Sequence, residues 1–303
     1  MRIKNSLFSR VVCPLLICAF LLSGCGWVGQ PTPSPVEKPS EEPSEPPEPE
    51  DSDPEPIAIK NPEGETIETR FNPPEGYRRT DLPDDSFGAY LRALPLKQDG
   101  DVLYLHDGTI KTGGSFDAVL ELKINNNRNR MRNTNFLLRL RAEYLYQAGR
   151  QDDISFHFLS GFVFDFATWA EGSRIKENEN GKVVWQAASA EADDSYDALW
   201  DYLQWVYNYS NASAMKSDLL QAVRAETGCV FLSHGGAVIA DMAADENGRA
   251  VILLVRGGEP EQEGYVVRNT NDAELSPWFT VPDNGIIKTP EGELSIGELY
   301  LFR

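Results

Sequence analysis

The clearest hydrophobic pattern in the chain predicts an amphipathic helix near its middle. Six apolar residues fall on one helical face between residues 136 and 148: Phe136, Leu137, Leu140, Tyr144, Leu145 and Ala148. Arg139 lies four residues before Glu143, so the two side chains can pair, and Gly149 is suited to end the helix. The same spacing of aromatic and aliphatic residues predicts a second helix over about 194–209.

Shorter patterns predict one more helix and a series of strands. Ser86 can cap a helix over 87–94 that Pro95 closes. The predicted strands are 102–106 with 109–112, 116–124, 154–165, 229–233, 237–243, 250–256 and 264–268. Asp107-Gly108 and Glu246-Asn247-Gly248 favour the turns. Because helices come first and paired strands follow, the order predicts an α+β fold, with the last strands forming an antiparallel meander.

The first hydrophobic segment is typical of a targeting signal rather than of part of the fold. The apolar run over 11–22 follows three basic residues and is too short for the roughly 20 residues of a spanning helix. It ends at Leu22-Ser23-Gly24-Cys25, which resembles the lipobox of bacterial lipoproteins. We therefore expect residues 1–24 to be a lipoprotein signal peptide and Cys25 to carry acyl chains that hold the protein to a membrane. The alternative is plain secretion with an unmodified cysteine.

Composition divides the remainder into a tether and a domain. Residues 25–56 are rich in proline, glutamate, aspartate and serine, which favours an extended spacer. Residues 57–303 have the length and aromatic content of a single globular domain. We expect this domain on the outer face of the cell membrane. The net charge of −19 argues against electrostatic binding of nucleic acid. Membrane contact is expected through the acyl chains alone.

Residue types that carry chemistry are scarce in the expected mature chain. Cys229 is its only cysteine besides Cys25, so no disulfide and no cysteine-based metal cluster is expected. We expect no cofactor and no metal ion. Two of the three histidines, His106 and His157, are expected to be structural. Cys229 and His234 form a tempting dyad, but a strand over 229–233 would separate their Cα atoms by about 16 Å.

Three longer motifs resemble an uncharacterised bacterial family, domain of unknown function 4846. They are SFGAYLRALPLK at 86–97, RLRAEYLY at 139–146 and SPW at 276–278. The resemblance covers about residues 66–303. The family in turn resembles NlpC-type cell-wall endopeptidases of papain-like fold. It therefore implies helices packed on an antiparallel sheet, with a cysteine early in the long helix and a histidine on the facing strand.

This sequence departs from that pattern at each reactive position. Asn133 stands, within one residue, where the resemblance implies the nucleophilic cysteine. Gly236 stands where it implies the histidine, and Arg256 falls near the third polar position. If the strand of Gly236 extends back, His234 lies on its face about 6 to 7 Å along, where it could serve Thr134 as a base.

The sequence thus favours a papain-like domain without its catalytic pair, displayed as a lipoprotein. Such a domain is expected to bind a cell-wall or peptide ligand. Two alternatives remain open at this point. One is an active amide hydrolase acting on peptidoglycan peptides, and the other is an envelope scaffold that binds no ligand.

We expect Cys25→Ser to abolish lipidation, because only a thiol can form the thioether. Cells fed a radiolabelled fatty acid should label the parent chain but not this variant, which should move from the membrane fraction to the soluble fraction. Cys229→Ala is the matched control and should keep both the label and the membrane location. A Cys25→Ser chain that still carries the label would contradict the lipoprotein prediction.

Overall fold

The framework of the fold is an antiparallel sheet to which nine strands contribute. The computed structural model describes residues 58–124, 130–131, 134–282 and 285–303. The predicted signal peptide, Cys25, the tether and Asn133 lie outside these ranges. Within them the mixture of helices and antiparallel strands confirms the α+β class, although several paired strands precede the last two helices.

Six helices and fifteen strands are described. The helices are α1 (Ile67–Arg70), α2 (Phe87–Arg92), α3 (Asn135–Gln147), α4 (Phe166–Ala170), α5 (Tyr196–Tyr209) and α6 (Ala212–Met215). The strands up to α6 are β1 (Arg78–Arg79), β2 (Phe116–Val119), β3 (Ser155–His157), β4 (Val163–Asp165), β5 (Arg174–Glu177) and β6 (Val183–Gln186). The later strands are β7 (Leu219–Gln221), β8 (Val230–Phe231), β9 (Ala237–Ala244), β10 (Ala250–Arg256), β11 (Tyr265–Val267), β12 (Trp278–Thr280), β13 (Ile286–Thr289), β14 (Gly292–Ser295) and β15 (Leu299–Phe302).

The main sheet has the strand order β2-β11-β10-β9-β8-β15-β7. β1 pairs with the end of β9, and β12 pairs with the start of β10. The run from β8 to β11 is the predicted antiparallel meander. Three further hairpins, β3–β4, β5–β6 and β13–β14, stand apart from this sheet.

Apolar side chains are buried on both faces of the central strands. On one face, Val238 and Leu253 join a cluster that includes α3 and α5. On the other face, Ile239 and Ile252 join a second cluster covered by the β13–β14 hairpin. Because β10 is covered on both sides, its sequence is apolar at consecutive positions rather than alternating.

Three glycines at the strand ends let the first turn of α3 lie against the sheet backbone. A Cβ atom on Gly236, before β9, would lie 2.9 Å from Cγ2 of Thr134. On Gly257, after β10, it would lie 2.8 Å from Cβ of Phe136. On Gly264, before β11, it would lie 2.4 Å from Cζ of Phe136. Any side chain at these positions would push α3 away.

A bulge in β9 turns a carboxylate toward the helices. Leu253 of β10 is opposite Asp241, whereas Leu254 is opposite Ile239, so Ala240 is the extra residue. Ala240 belongs to the helix-side cluster and Ile239 to the other one. A bulge places two consecutive residues on one side of a strand, and Asp241 therefore points to the helix side.

Two arginines from the N-terminal segment bind this carboxylate. Nε of Arg79, in β1, donates to Oδ2 of Asp241 at 2.7 Å, and Nε of Arg92, in α2, donates to Oδ1 at 2.8 Å. Burial raises the pKa of Asp241, against the opposing effect of the two guanidinium groups. We call these three residues the Asp241 clamp.

Some predicted elements were wrong in extent. The hairpin over 102–112 closes, since the amide of Leu105 donates to the backbone oxygen of Thr109 and the amide of Lys111 to that of Leu103, but its pairing is limited to the single bridge Tyr104–Ile110. The strand predicted over 116–124 ends at Val119, after which the chain bonds partly to Pro95. The strand predicted over 229–233 comprises only Val230–Phe231, because a 3₁₀ turn begins at Ser233.

We expect Asp241→Ala to destabilise the protein by about 3–5 kcal/mol, because it leaves two partly buried guanidinium groups without their carboxylate. Asp153→Ala is the matched control, since it breaks the exposed Arg150–Asp153 pair and should cost less than about 1 kcal/mol. Chemical denaturation measures both. Equal losses would mean that the Asp241 clamp contributes no more than a surface ion pair.

Candidate functional site

The structure brings together the start of α3 and the start of β9, where the resemblance implies a catalytic pair. Thr134 is the residue before α3, and Gly236 is the residue before β9. The ideal Cβ position at Gly236 lies 2.9 Å from Thr134 Cγ2 and 3.0 Å from Leu137 Cδ1. Asn133 is outside the described residues. Among the described residues, Thr134 and Leu137 of this helix–strand junction pack directly against Gly236.

Thr134 is buried and makes no side-chain hydrogen bond that caps α3. The next residue, Asn135, donates from Nδ2 to the backbone oxygen of Tyr207 at 3.0 Å, which ties α3 to α5. The environment of Thr134 is therefore helix packing, and the residue across from it is Gly236 rather than a histidine.

His234 does not lie on a backward extension of β9, so that expectation was wrong. It occupies a 3₁₀ turn with φ of +49°, and the chain turns again at Gly235 and Gly236 with φ of +84° and +81°. Its ring packs on Gly292 of β14, where a Cβ atom would lie 2.4 Å from Nδ1. The positive φ values break the strand and direct the imidazole to the β13–β14 hairpin, so the hydroxyl–imidazole pair with Thr134 is not formed.

Cys229 is fully buried in the cluster on the β13–β14 side of the sheet. Its thiol approaches the backbone oxygen of Arg224 at 3.7 Å, and burial raises its pKa to about 11. A reactive cysteine has a lowered pKa and access to solvent. This thiol has neither, which argues against the Cys229–His234 dyad.

Arg256, the third position, ends β10 inside a polar network. It donates from Nη2 to the backbone oxygen of His234, and its Nη1 lies 3.3 Å from Oε2 of Glu291. Oε1 of Glu291 accepts from the hydroxyl of Tyr265 at 2.9 Å. Burial raises the pKa of Tyr265. These contacts fix the turn at 233–235 to β10 and the β13–β14 hairpin.

Sequence reasoning missed a histidine–aspartate pair. Nδ1 of His157 lies 2.6 Å from Oδ1 of Asp218, and the His157 backbone amide donates to Oδ2 at 3.2 Å. Burial raises the pKa of Asp218, opposed by its bonds to His157. The two residues are 61 positions apart, and no spacing in the sequence links them. These contacts thus fix the orientation of the His157 ring and the Asp218 carboxylate relative to each other.

Sequence reasoning also missed a pocket of about 520 Å³, which we call the α2 pocket. It lies between the start of α2 and the loop from β7 to β8. Its lining comprises residues 80–83, 86–88, 224–228 and 301–302, together with Arg141 and Met242. Residues 86–88 are the start of the first motif, so the only signal in the sequence was that motif itself.

Two further properties of the described residues bear on function. Among them, no group of three or more His, Cys, Asp and Glu side chains is arranged to hold a metal ion. Within the same ranges, no helix combines the length and apolarity needed to cross a bilayer.

Comparison with known proteins gives one family match. The model described as domain of unknown function 4846 matches residues 67–300. No curated protein and no solved structure matches the chain significantly. The motifs at 86–97, 139–146 and 276–278 all lie within the matched range.

We expect Gly236→Ala to be more destabilising than the same change at Gly248, which has a similar φ of +78° but open space around it. The unfavourable φ alone should cost about 1–2 kcal/mol at either site. The contacts with Thr134 and Leu137 should add about 1–3 kcal/mol at Gly236. Denaturant titration compares the two, and equal costs would mean that the junction is loose enough to open.

Proposed function

This chain belongs to the family described as domain of unknown function 4846, and we propose that it is an extracytoplasmic lipoprotein that binds a peptide or cell-wall fragment without cleaving it. In this proposal Cys25 carries the lipid, residues 25–56 form the spacer and the domain is papain-like in descent but lacks the catalytic pair. Its partners are the membrane, through the acyl chains, and a ligand from the wall.

The contact of Gly236 with Thr134 and Leu137 carries the proposal. A cysteine hydrolase needs a thiolate and an imidazole within hydrogen-bond reach beside room for substrate. The start of β9 presents a glycine packed directly on α3, and the nearby His234 ring lies against Gly292. Cys229 is a poor substitute, because its side chain is fully buried in the core and burial raises its pKa to about 11.

The α2 pocket is the proposed place of binding. Its volume of about 520 Å³ falls in the range of roughly 300–1,000 Å³ that is typical of ligand sites. Its walls combine apolar side chains such as Phe87, Met242 and Leu301 with a few charged groups. This composition is what a site needs to bury an apolar ligand and orient it.

The hydrolase alternative is favoured by one observation, the His157–Asp218 pair. A carboxylate that orients a histidine is one half of a general-base arrangement. The pair lines a small pocket of about 170 Å³ that also includes Ser155 and Ser217. An enzyme at this place would cleave its ligand rather than only hold it.

We expect Ala225→Trp to lower the affinity for soluble muropeptides by about tenfold or more, because the indole would fill the α2 pocket and displace the buried contacts that dominate binding. Ala225 is half-buried and lines the pocket. Titration calorimetry on the full chain in detergent measures the loss.

Val223→Trp is the matched control, since Val223 is in the same loop, fully exposed and outside the lining. It should bind like the parent chain. The titrated samples are then analysed by chromatography. Intact muropeptides support a binding protein, and released peptide would support the hydrolase. Absence of binding by the parent chain would favour the scaffold instead.

A further inference from the structure

Resting on the binding function above, we propose that the α2 pocket recognises the carboxylate of an apolar ligand, and that Arg141 and Thr227 are the residues that bind it. Each of these residues lines the pocket. Each also has hydrogen-bonding groups that the described protein leaves unused, and the two observations are independent of one another.

Arg141 is a preorganised cation whose guanidinium group forms no ion pair with a described carboxylate. Its guanidinium carbon lies 5.3 Å from the ring centroid of Tyr144 and 5.6 Å from those of Phe87 and Phe302. Nη2 donates to the backbone oxygen of Arg303 at 2.9 Å. Asp153 attracts the guanidinium group electrostatically, but no carboxylate of the described residues lies within ion-pair distance of it, and its Nε and Nη1 make no hydrogen bond with them.

The stacking has a chemical consequence. Three aromatic rings restrict the guanidinium group, and burial lowers its pKa from the ordinary value, although arginine stays charged. A guanidinium group that has lost part of its hydration binds an incoming carboxylate more strongly than an exposed one does. Arg141 is therefore placed to give such a ligand charge-assisted hydrogen bonds.

Thr227 provides the second unused group. The residue is 8% exposed, and its Oγ1 has no hydrogen-bond partner in the described protein. Its methyl group faces Gly88, where a Cβ atom would lie 3.3 Å from Cγ2. A buried hydroxyl without a partner is unfavourable, so a ligand oxygen that accepts from Oγ1 would remove that penalty.

Apart from Arg141, the charged residues of the pocket carry a net charge of −1, because Arg224 stands beside two carboxylates. Asp81 and Glu226 also line it, and Glu226 lies 3.8 Å from the exposed Arg224. These carboxylates repel a second negative charge on the ligand. A monocarboxylate therefore fits better than a phosphate monoester, and the apolar walls select for an apolar body beside it.

Two sources share this chemistry: a fatty acid, and the free C-terminus of a short apolar peptide. Titration calorimetry on the full chain in detergent can separate them. The probes are hexanoate and N-acetyl-alanyl-alanine, with 1-hexanol, hexyl phosphate and the amide of the same dipeptide as references. We expect a carboxylate to bind at least about tenfold more tightly than its neutral analogue.

Four variants test the assigned residues. Arg141→Gln should weaken carboxylate binding by roughly tenfold to hundredfold, and Arg141→Lys should restore part of it. Lys176→Gln removes a positive charge from the exposed face of β5, outside the pocket, and should change nothing. Thr227→Val should weaken binding about threefold to tenfold while leaving the thermal midpoint of the ligand-free protein unchanged or higher.

The last result separates binding from structure, because a merely structural hydroxyl would lower the midpoint when removed. The proposal is overturned if neutral analogues bind as tightly as carboxylates. It is also overturned if Arg141→Gln and Thr227→Val bind hexanoate and the dipeptide like the parent chain. Thermal unfolding curves must first show that both variants are folded. If Ala225→Trp abolishes muropeptide binding while these variants do not, the binding function stands and the carboxylate assignment fails.

Discussion

The close approach of α3 to the sheet is the constraint on which the candidate site depends. Gly236, Gly257 and Gly264 lie at one set of strand ends, and the first turn of α3 occupies the space that their missing side chains leave. This contact brings the head of the helix to the start of β9, and a side chain at any of the three positions would meet Thr134 or Phe136. The position of α3 and the residue types at these strand ends are therefore interdependent.

Much of the framework was predictable from the sequence because its signals are local. α3 and α5 follow from helical spacing and from Gly149, which has φ of +67° after α3. The β9–β10 hairpin follows from two apolar runs around the turn at Gly248. The possible backward extension of the strand from Gly236 to His234 was wrong, because the consecutive glycines Gly235 and Gly236 have positive φ and no strand continues through them.

Interactions between residues that are far apart in the sequence could not be predicted. Asp241 meets Arg79 and Arg92 across 162 and 149 positions, and only because a bulge rotates it to the helix side. The pairing of His157 with Asp218 spans 61 positions. The α2 pocket joins five separate parts of the chain. Its residue types are ordinary in a sequence, and only their convergence makes them a candidate site.

The Asp241 clamp also helps to attach the first described residues to the sheet, which matters if tension is applied to the start of the domain. The first described residues are bonded to the segment at 70–72, where Nδ2 of Asn72 donates to the backbone oxygen of Ala58. Arg79 then attaches this segment to β9 through Asp241, and also donates to the backbone oxygens of Glu68 and Phe71. A pull applied before residue 58 would therefore reach β9 through the Arg79–Asp241 bond together with the β1–β9 pairing, and β12 through the bond from Trp278 to the backbone oxygen of Asn72. The tension would be shared among several attachments to the sheet rather than carried by a single, easily peeled edge.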